Sequence, residues 1–454
     1  KLADGLSLEV TPFFHNNFSR IFWGLPPSTG LSAYNNALAA VPGRTDVTRP
    51  NGLPVQRDGR RTLNRLGVTT HLKWEVGINT VEVGGWVENH EYKNYQPLTN
   101  TDPLTGEMIR WPVIAFENDY KVDTDIVSFY LKDTVKLFDD RLAIAAGSKS
   151  LDTKRNLSGI ANNRDFNLQQ RRDETSTGKD MFQPQLGVTF DVTPGIQVFA
   201  NYAENFGSIP SAGLASLIYN LDLKPESAKN TDFGVRFEGN NWSGFLSGFT
   251  VKYKDRILSF SGASRGGVAG ATYLNANGAD TKGVEALGEY KPAPGWRLFA
   301  SVSYIDSKFV GDYYEFDSAG ALTVLRAVDG NHVPDQPKVI GSASVSWTGA
   351  EWSWSLDGQY MGERWINGGN AITNPAYATV GIGPKVDAYE LLNASVSWKA
   401  PADSNLDGVR FQLAVYNVLD KKYISSLSPN ATFGAGTRKQ GYPRAPYFNL
   451  SYTF

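Results

Sequence analysis

Residues 444–454 read R-A-P-Y-F-N-L-S-Y-T-F, from Arg444 to Phe454. Side chains alternate across an extended chain with period two, so Phe448, Leu450, Tyr452 and Phe454 share one face while Tyr447, Asn449, Ser451 and Thr453 share the other. The first face is apolar and the second is wet. A water-soluble sandwich rarely places an aromatic residue at a free carboxyl terminus, where the chain frays into solvent. The strand therefore points to a sheet with an apolar medium on one side, provided that the rest of the chain repeats the pattern.

It does. Leu6, Leu8, Val10, Pro12 and Phe14 alternate with Ser7, Glu9, Thr11, Phe13 and His15, and Ala3-Asp4-Gly5 before them reads as a turn. After a long polar connection, Leu66, Val68, Thr70, Leu72 and Trp74 alternate with Arg65, Gly67, Thr69, His71 and Lys73. The chain turns at Gly77-Ile78-Asn79 and returns through Val81, Val83, Gly85 and Val87. Short turns recur at Asp139-Asp140, Pro194-Gly195, Gly239 to Asn241, Pro292 to Gly295, Thr348-Gly349 and Pro401 to Asp407. Long connections are expected over residues 18–60, 93–122, 153–180, 206–228, 257–272, 311–335, 365–386 and 424–443. The result is an all-β reading: an antiparallel transmembrane β-barrel with about 16 strands present, short turns at one end and long loops at the other, as in bacterial outer-membrane barrels.

Composition excludes the competing classes. Among 454 residues there is no Pro/Ser-rich linker, charge run or composition break, so residues 1–454 read as one barrel domain despite a length usual for several soluble domains. A net charge of −2 with 20% charged residues offers no basic face for nucleic acid. The absence of cysteine removes disulfides, thiolate metal sites and cysteine catalysis together. Mean hydropathy is −0.32 and no apolar run approaches 18 residues, which rules out membrane-spanning helices but not strands that are apolar on one face. Trp74, Trp242, Trp296, Trp347, Trp352 and Trp398 all flank short turns, where an aromatic girdle at one membrane boundary belongs. Trp296, Leu298, Ala300, Val302 and Tyr304 share a face opposite Arg297, Phe299, Ser301 and Ser303, so an arginine points inward and the interior must be wide and wet.

Four stretches resemble TonB-dependent receptors, the 22-stranded transporters of Gram-negative outer membranes. They are Phe182 to Phe206 with its Pro184-Gln-Leu-Gly187 opening, Leu223 to Gly234 (L-K-P-E-S-A-K-N-T-D-F-G), Asn275 to Glu285 (N-A-N-G-A-D-T-K-G-V-E) and Val415 to Tyr423 (V-Y-N-V-L-D-K-K-Y). Each also has a plain physical reading. Pro225 sets a turn, Glu226 is placed to pair with Lys229 or accept from backbone amides, and Asn417 to Tyr423 closes a strand on a turn. The resemblance implies a scarce nutrient bound at extracellular loops and imported with energy from the TonB complex, acting through an N-terminal segment and plug that this chain lacks. It also implies that the first strands of the barrel lie outside the chain. By family frequency the default ligand is a ferric siderophore. An oligosaccharide or other nutrient, a 16-stranded diffusion porin, and an adhesive barrel are the alternatives.

No constellation of catalytic residues emerges. Glu204, Glu226, Asp255, Glu285 and Glu363 have no spacing that favours a hydrolase, and His15, His71, His90 and His332 are dispersed without a metal-binding spacing. Gly434-Ala-Gly436 and Gly266-Gly267 lack the strand-to-helix setting of a phosphate cradle. The expectation is therefore no enzyme, no cofactor and no bound metal, with function in the loops. Aromatic planes beside guanidinium forks suit an anionic or aromatic ligand through stacking and charge-assisted hydrogen bonds. The candidates are Trp23, Tyr34, Arg60 and Arg61 in or bordering the first connection, Arg110 and Trp111 in the second, and Arg164, Arg171 and Arg172 in the third. Tyr313 and Tyr314 in the sixth and Arg364 and Trp365 in the seventh complete the set. For each, contact with outer-membrane lipid or lipopolysaccharide, or anchoring of loop to loop, is the competing role.

Overall fold

The computed structural model describes residues 3–216, 223–265, 268–316, 322–371, 383–428 and 437–453, which leaves Phe454, Gly266-Gly267 and Gly434 to Gly436 outside the described residues. In chain order the first elements are β1 (Leu6–Leu25), α1 (Pro27–Ala40), β2 (Val55–Val76), β3 (Asn79–Thr99), β4 (Ala115–Leu137), β5 (Leu142–Ile160) and α2 (Asn163–Asn167). Next come β6 (Arg172–Thr193), β7 (Ile196–Gly207), α3 (Ser211–Leu214), β8 (Glu226–Glu238), β9 (Trp242–Arg265), β10 (Val268–Tyr290) and β11 (Trp296–Val310). Small loop strands β12 (Tyr313–Phe316) and β13 (Leu322–Arg326) precede β14 (Val339–Thr348) and β15 (Trp352–Met361). A second loop pair, β16 (Arg364–Trp365) and β17 (Lys385–Val386), leads to β18 (Tyr389–Lys399) and β19 (Val409–Tyr416). The last loop pair, β20 (Ile424–Ser428) and β21 (Thr437–Gln440), precedes β22 (Ala445–Tyr452).

Sixteen strands form one antiparallel meander, from β1 through β11, then β14, β15, β18, β19 and β22. All seven short turns lie where the sequence places them. The edges are β1 and β22, and no ladder joins them among the described residues. Cross-strand partners lie on one face of a sheet, and the pairing carries the apolar face of the terminal strand across the molecule. Phe448 faces Leu413, Leu413 faces Val396, Val396 faces Trp354, Trp354 faces Trp347, and Trp347 faces Trp296. The next row runs Leu450, Phe411, Trp398, Trp352. Tryptophans thus collect at the short-turn end of the apolar face, and Trp354 joins the girdle.

The upper limit of the apolar face is sharp on the first strands. Pro12, Val68, Val87 and Val127 form one row; the next is Phe14, Leu66, Asn89 and Asp125; the one after is Asn16, Asn64, Glu91 and Asp123. From Trp74 to Leu66 the strand rises about 27 Å, the span a membrane strand needs. Yet β2 continues to Val55, with 22 residues in all.

Such continuations shorten several expected connections: that over 93–122 spans only 100–114, and that over 153–180 only 161–171, so that Arg172 opens β6. The connection expected over residues 18–60 spans only 26–54 and contains the helix α1, so Trp23 sits on β1 and Arg60 and Arg61 on β2. The stretch 257–272 is no long loop, since β9 runs to Arg265 and β10 resumes at Val268. Above the membrane both faces of a strand meet water or loops, so the ladder persists while the alternation that reveals it disappears. Helix α1 starts on Pro27, whose missing N–H costs nothing at the first turn. It docks through Gly30, where a Cβ would lie 2.5 Å from Val55 Cγ1, and through buried Ala37.

Candidate functional site

At the long-loop end, the polar face of β1 to β5 is a wall of arginine and tyrosine. Register places Arg61 beside Asn94 and Asn94 beside Tyr120. Below them lies Leu63 with Tyr92 and Val122, then Arg65 with His90, Thr124 and Arg155. Arg65 is committed to Glu88 by a two-pronged bond, 2.7 Å at each oxygen, and Arg57 to Glu117. Arg155 reaches the α3 loop instead, donating to Ser208 Oγ at 2.6 Å and to the Ile209 carbonyl at 2.8 Å. Arg61 is exposed and has no ion-pair partner among the described residues. Four guanidiniums thus face two carboxylates on this wall, which carries an excess of positive charge.

The aromatic half of the wall is preorganised. Tyr120, buried beside Val122, Leu157, Ala161 and Leu214, accepts from Asn94 Nδ2 at 3.3 Å and tilts against Tyr92 with ring centroids 6.3 Å apart. Burial pushes the Tyr120 phenol above its ordinary pKa; Asn94 and the Arg61 charge oppose the shift, while Tyr92 and Tyr273 add to it. Asn94 Oδ1 and Thr124 Oγ1 are buried without a hydrogen-bond partner, an uncommon state for a native polar group. The site can stack planar groups and neutralise negative charge.

Above the wall the loops form their own small core. Ala37, Val55, Leu98, Val113, Ile114, Ala115 and Phe166 pack together, with Tyr34 against them. Arg44 lies 4.3 Å over the Phe166 ring and donates to its carbonyl at 2.6 Å. Helix α2 is capped by Asn162, whose Oδ1 accepts from the Arg164 and Asp165 amides. Burial pushes the Glu117 carboxyl above its ordinary pKa, against the pull of Arg57.

The sequence-predicted residues divide three ways. On the wall are Arg61 and, near its rim, Trp23, which receives the Arg57 guanidinium at 5.3 Å. A second group is locked into structure. Arg60 shares the fully buried Asp58 with Arg20, and Arg172 holds Asp165 at 2.6 Å and the Leu214 carbonyl at 3.0 Å. Arg364 holds Asp335 at 2.9 Å and the Ile424 carbonyl at 2.6 Å. Tyr313 is buried against Phe309, and the Trp365 ring lies parallel to His332 at 6.3 Å with the Lys385 ammonium 4.4 Å from its centroid. Arg164 lies half-buried on α2. Tyr34 packs into the loop core, and the remaining four, the adjacent Arg110 and Trp111 together with Arg171 and Tyr314, are exposed. Tyr92, Asn94, Tyr120, His90 and Arg155 are not among the predicted residues: Asn94, Tyr120 and Arg155 fall within connections expected over 93–122 and 153–180 but lie on β3, β4 and β5, and only the register between those strands brings the five together.

The family-like stretches do the structural work their plain reading gives them. Glu226 accepts from the Ile257 amide at 2.9 Å while Lys229 pairs with Glu204 at 3.0 Å. Asn417, in a left-handed conformation, donates to the Lys421 and Tyr442 carbonyls and accepts from the Lys421 amide.

Comparison with known proteins agrees with this geometry. The pesticin receptor of Yersinia enterocolitica is 24% identical over 270 residues, 55% of this chain and 33% of that protein. Among solved structures, the ferric citrate transporter FecA in unliganded form superposes with a TM-score of 0.69 at 14% identity, over 100% of this chain and 60% of that one. The ferric yersiniabactin uptake receptor FyuA from Yersinia pestis gives 0.61 at 18% identity, over 88% and 55%. The chain thus spans about a third of the curated relative and somewhat over half of these structures. The sequence profile described as TonB dependent receptor-like, beta-barrel matches residues 6–418. With that match over most of its length, the chain belongs to the TonB-dependent receptor β-barrel family.

Proposed function

We propose that this chain is the barrel of an outer-membrane transporter that captures an anionic, ring-bearing nutrient at its extracellular mouth, with a ferric siderophore as the leading class, and imports it with energy from TonB. The observation that carries the reading is Arg61: an exposed, unpaired guanidinium on the polar wall, beside Tyr92 and the preorganised Asn94–Tyr120 pair. A ferric chelate with net negative charge and catechol or heteroaromatic rings satisfies both halves of that wall. Relatives named for ferric citrate and ferric yersiniabactin transport support the same class. The exposed Arg110, Trp111, Arg171 and Tyr314 are the first encounter points. In this reading the unpaired edges of β1 and β22 meet further strands outside this chain, and a plug in the enclosed lumen contacts TonB.

Uptake of a panel of iron-55 chelates by a deletion strain, complemented with the full-length gene, tests the proposal. One or more anionic chelates should enter only with both the gene and TonB present, and Arg61→Ala should raise the KM for that chelate. Equal uptake of every chelate with and without the gene, or solute flux independent of TonB, would overturn it.

A further inference from the structure

We propose a binding site for a phosphate-bearing lipid headgroup on the lipid-facing side of β9 and β10, directly above the apolar band. It rests on the outer-membrane placement proposed above. Register defines the surface across five strands. One row reads Ala200, Phe233, Gly248, Val284 and Tyr304. The row above it is Tyr202, Thr231, Thr250, Lys282 and Asp306, and the next is Glu204, Lys229, Lys252, Asp280 and Lys308. Apolar surface gives way to lysine within one step.

Four lysines and three carboxylates occupy this patch, but their pairing is incomplete. Lys229 is held by Glu204 at 3.0 Å, and Asp306 lies 3.9 Å from Lys308 and 3.5 Å from His332. Lys252 and Lys282 are exposed and have no ion-pair partner among the described residues, although Asp280 lies across from Lys252. They form a diagonal pair, with Cβ atoms about 7–8 Å apart, a span that two flexible ammonium stems close around one anion. Thr250, Lys252, Asp280, Lys282, Asp306 and Lys308 border a depression of about 220 Å³ at this point.

The equivalent height on β3 to β6 behaves differently. There Lys93 pairs with Glu91 at 2.8 Å, Lys121 with Asp123 at 2.8 Å and Lys179 with Asp152 at 3.0 Å, which leaves Lys154, across from Asp125, as the one outward lysine of β3 to β6 at that height without an ion pair among the described residues. The β9–β10 side instead holds two neighbouring uncommitted ammoniums, Lys252 and Lys282, beside lipid-exposed Phe233, Val284 and Tyr304. A molecule that is phosphorylated at one end and acylated at the other meets both requirements, whereas free phosphate meets one.

The test uses the full-length receptor purified from outer membranes in detergent, titrated by native mass spectrometry with diphosphoryl lipid A, its dephosphorylated form, phosphatidylglycerol and inorganic phosphate. Lipid A or phosphatidylglycerol should bind, which names the source of the phosphate, and the dephosphorylated form should bind weakly. Replacing both Lys252→Gln and Lys282→Gln should weaken binding about tenfold, the scale of losing a charge-assisted hydrogen bond. Lys121→Gln, whose ammonium is already paired, should bind as the parent does. Undiminished lipid binding by the double variant would overturn the site, and so would inorganic phosphate that displaces the lipid at equal concentration. A receptor that fractionates away from the outer membrane would instead defeat the placement, a result read before any lipid is added.

Discussion

Asn275 on β10 closes a ring of hydrogen bonds with the backbone of Lys224: its Oδ1 accepts from the Lys224 amide at 2.7 Å and its Nδ2 donates to the Lys224 carbonyl at 2.9 Å. The same Nδ2 reaches the Asp255 carbonyl at 2.6 Å. Two of the family-like stretches are therefore one joint, in which a neutral amide ties the segment leading into β8 to the upper part of β10. Replacing Asn275→Ala removes all three bonds, at a cost of about 1–3 kcal/mol to local stability. Hydrogen exchange should show the Lys224 amide opening faster, with membrane-height strands unchanged.

A second joint sits at the base of the first loop. Asp58 is fully buried, and its carboxylate accepts from Arg20 Nε at 2.8 Å and Arg60 Nε at 2.7 Å. Burial alone would raise its pKa, but the two arginines override this and hold it below the ordinary value. A depressed carboxylate contributes stability that is present above the unfolded pKa of about 4 and lost as pH falls through the lower folded value. Unfolding in denaturant should therefore weaken for the parent between about pH 4 and the folded pKa, and Asp58→Asn should flatten that acid limb. Deleting Arg20 alone should cost less than deleting both arginines, since one partner still neutralises Asp58.

What was legible in the sequence follows from which medium each face meets. Phe14 and Leu66 share the lipid face beside polar neighbours, so alternation announces the strand; Asn16, Asn17, Ser19 and Arg20 are polar on both faces, and the ladder through them leaves no periodic trace. Ser- and Gly-rich residues near 257–272 read as loop for the same reason. The site was only partly visible. Arg61 was picked out because it is an arginine near a loop, but Tyr92, Asn94 and Tyr120 form a wall only through a register between strands far apart in sequence. Arg172 and Arg364 look like ligand-ready guanidiniums until their partners Asp165 and Asp335 are known, and the second of these comes from a different loop.

The two faces predict opposite tolerance of charge. Phe14 and its neighbour His15 are both exposed in the isolated chain, but only Phe14 belongs to the apolar face. In a bilayer, Phe14→Arg should cost up to about 2–4 kcal/mol, less if its depth is near the upper boundary, while His15→Arg should be nearly neutral. Urea unfolding of the reconstituted receptor distinguishes the two. Equal penalties would mean that the faces are assigned the wrong way round.

The last prediction separates anchoring from binding within the arginines themselves. Arg364 is only 4% exposed, and Asp335 beside it has a carboxyl that burial already pushes above its ordinary pKa, against the pull of Arg364. Arg364→Ala removes the opposing charge and raises that pKa further. A raised carboxyl binds its proton more tightly in the folded state, so the loss of stability is largest at neutral pH and recovers as pH falls through the folded value. The cost at pH 7 should be about 3 kcal/mol, as for a buried pair with one member removed. The difference in unfolding midpoint between variant and parent should accordingly shrink on acidification. Arg61→Ala, which leaves no carboxylate stranded, should show no such pH-dependent difference and should change ligand affinity alone; a stability loss at Arg61 equal to that at Arg364 would place it among the anchors.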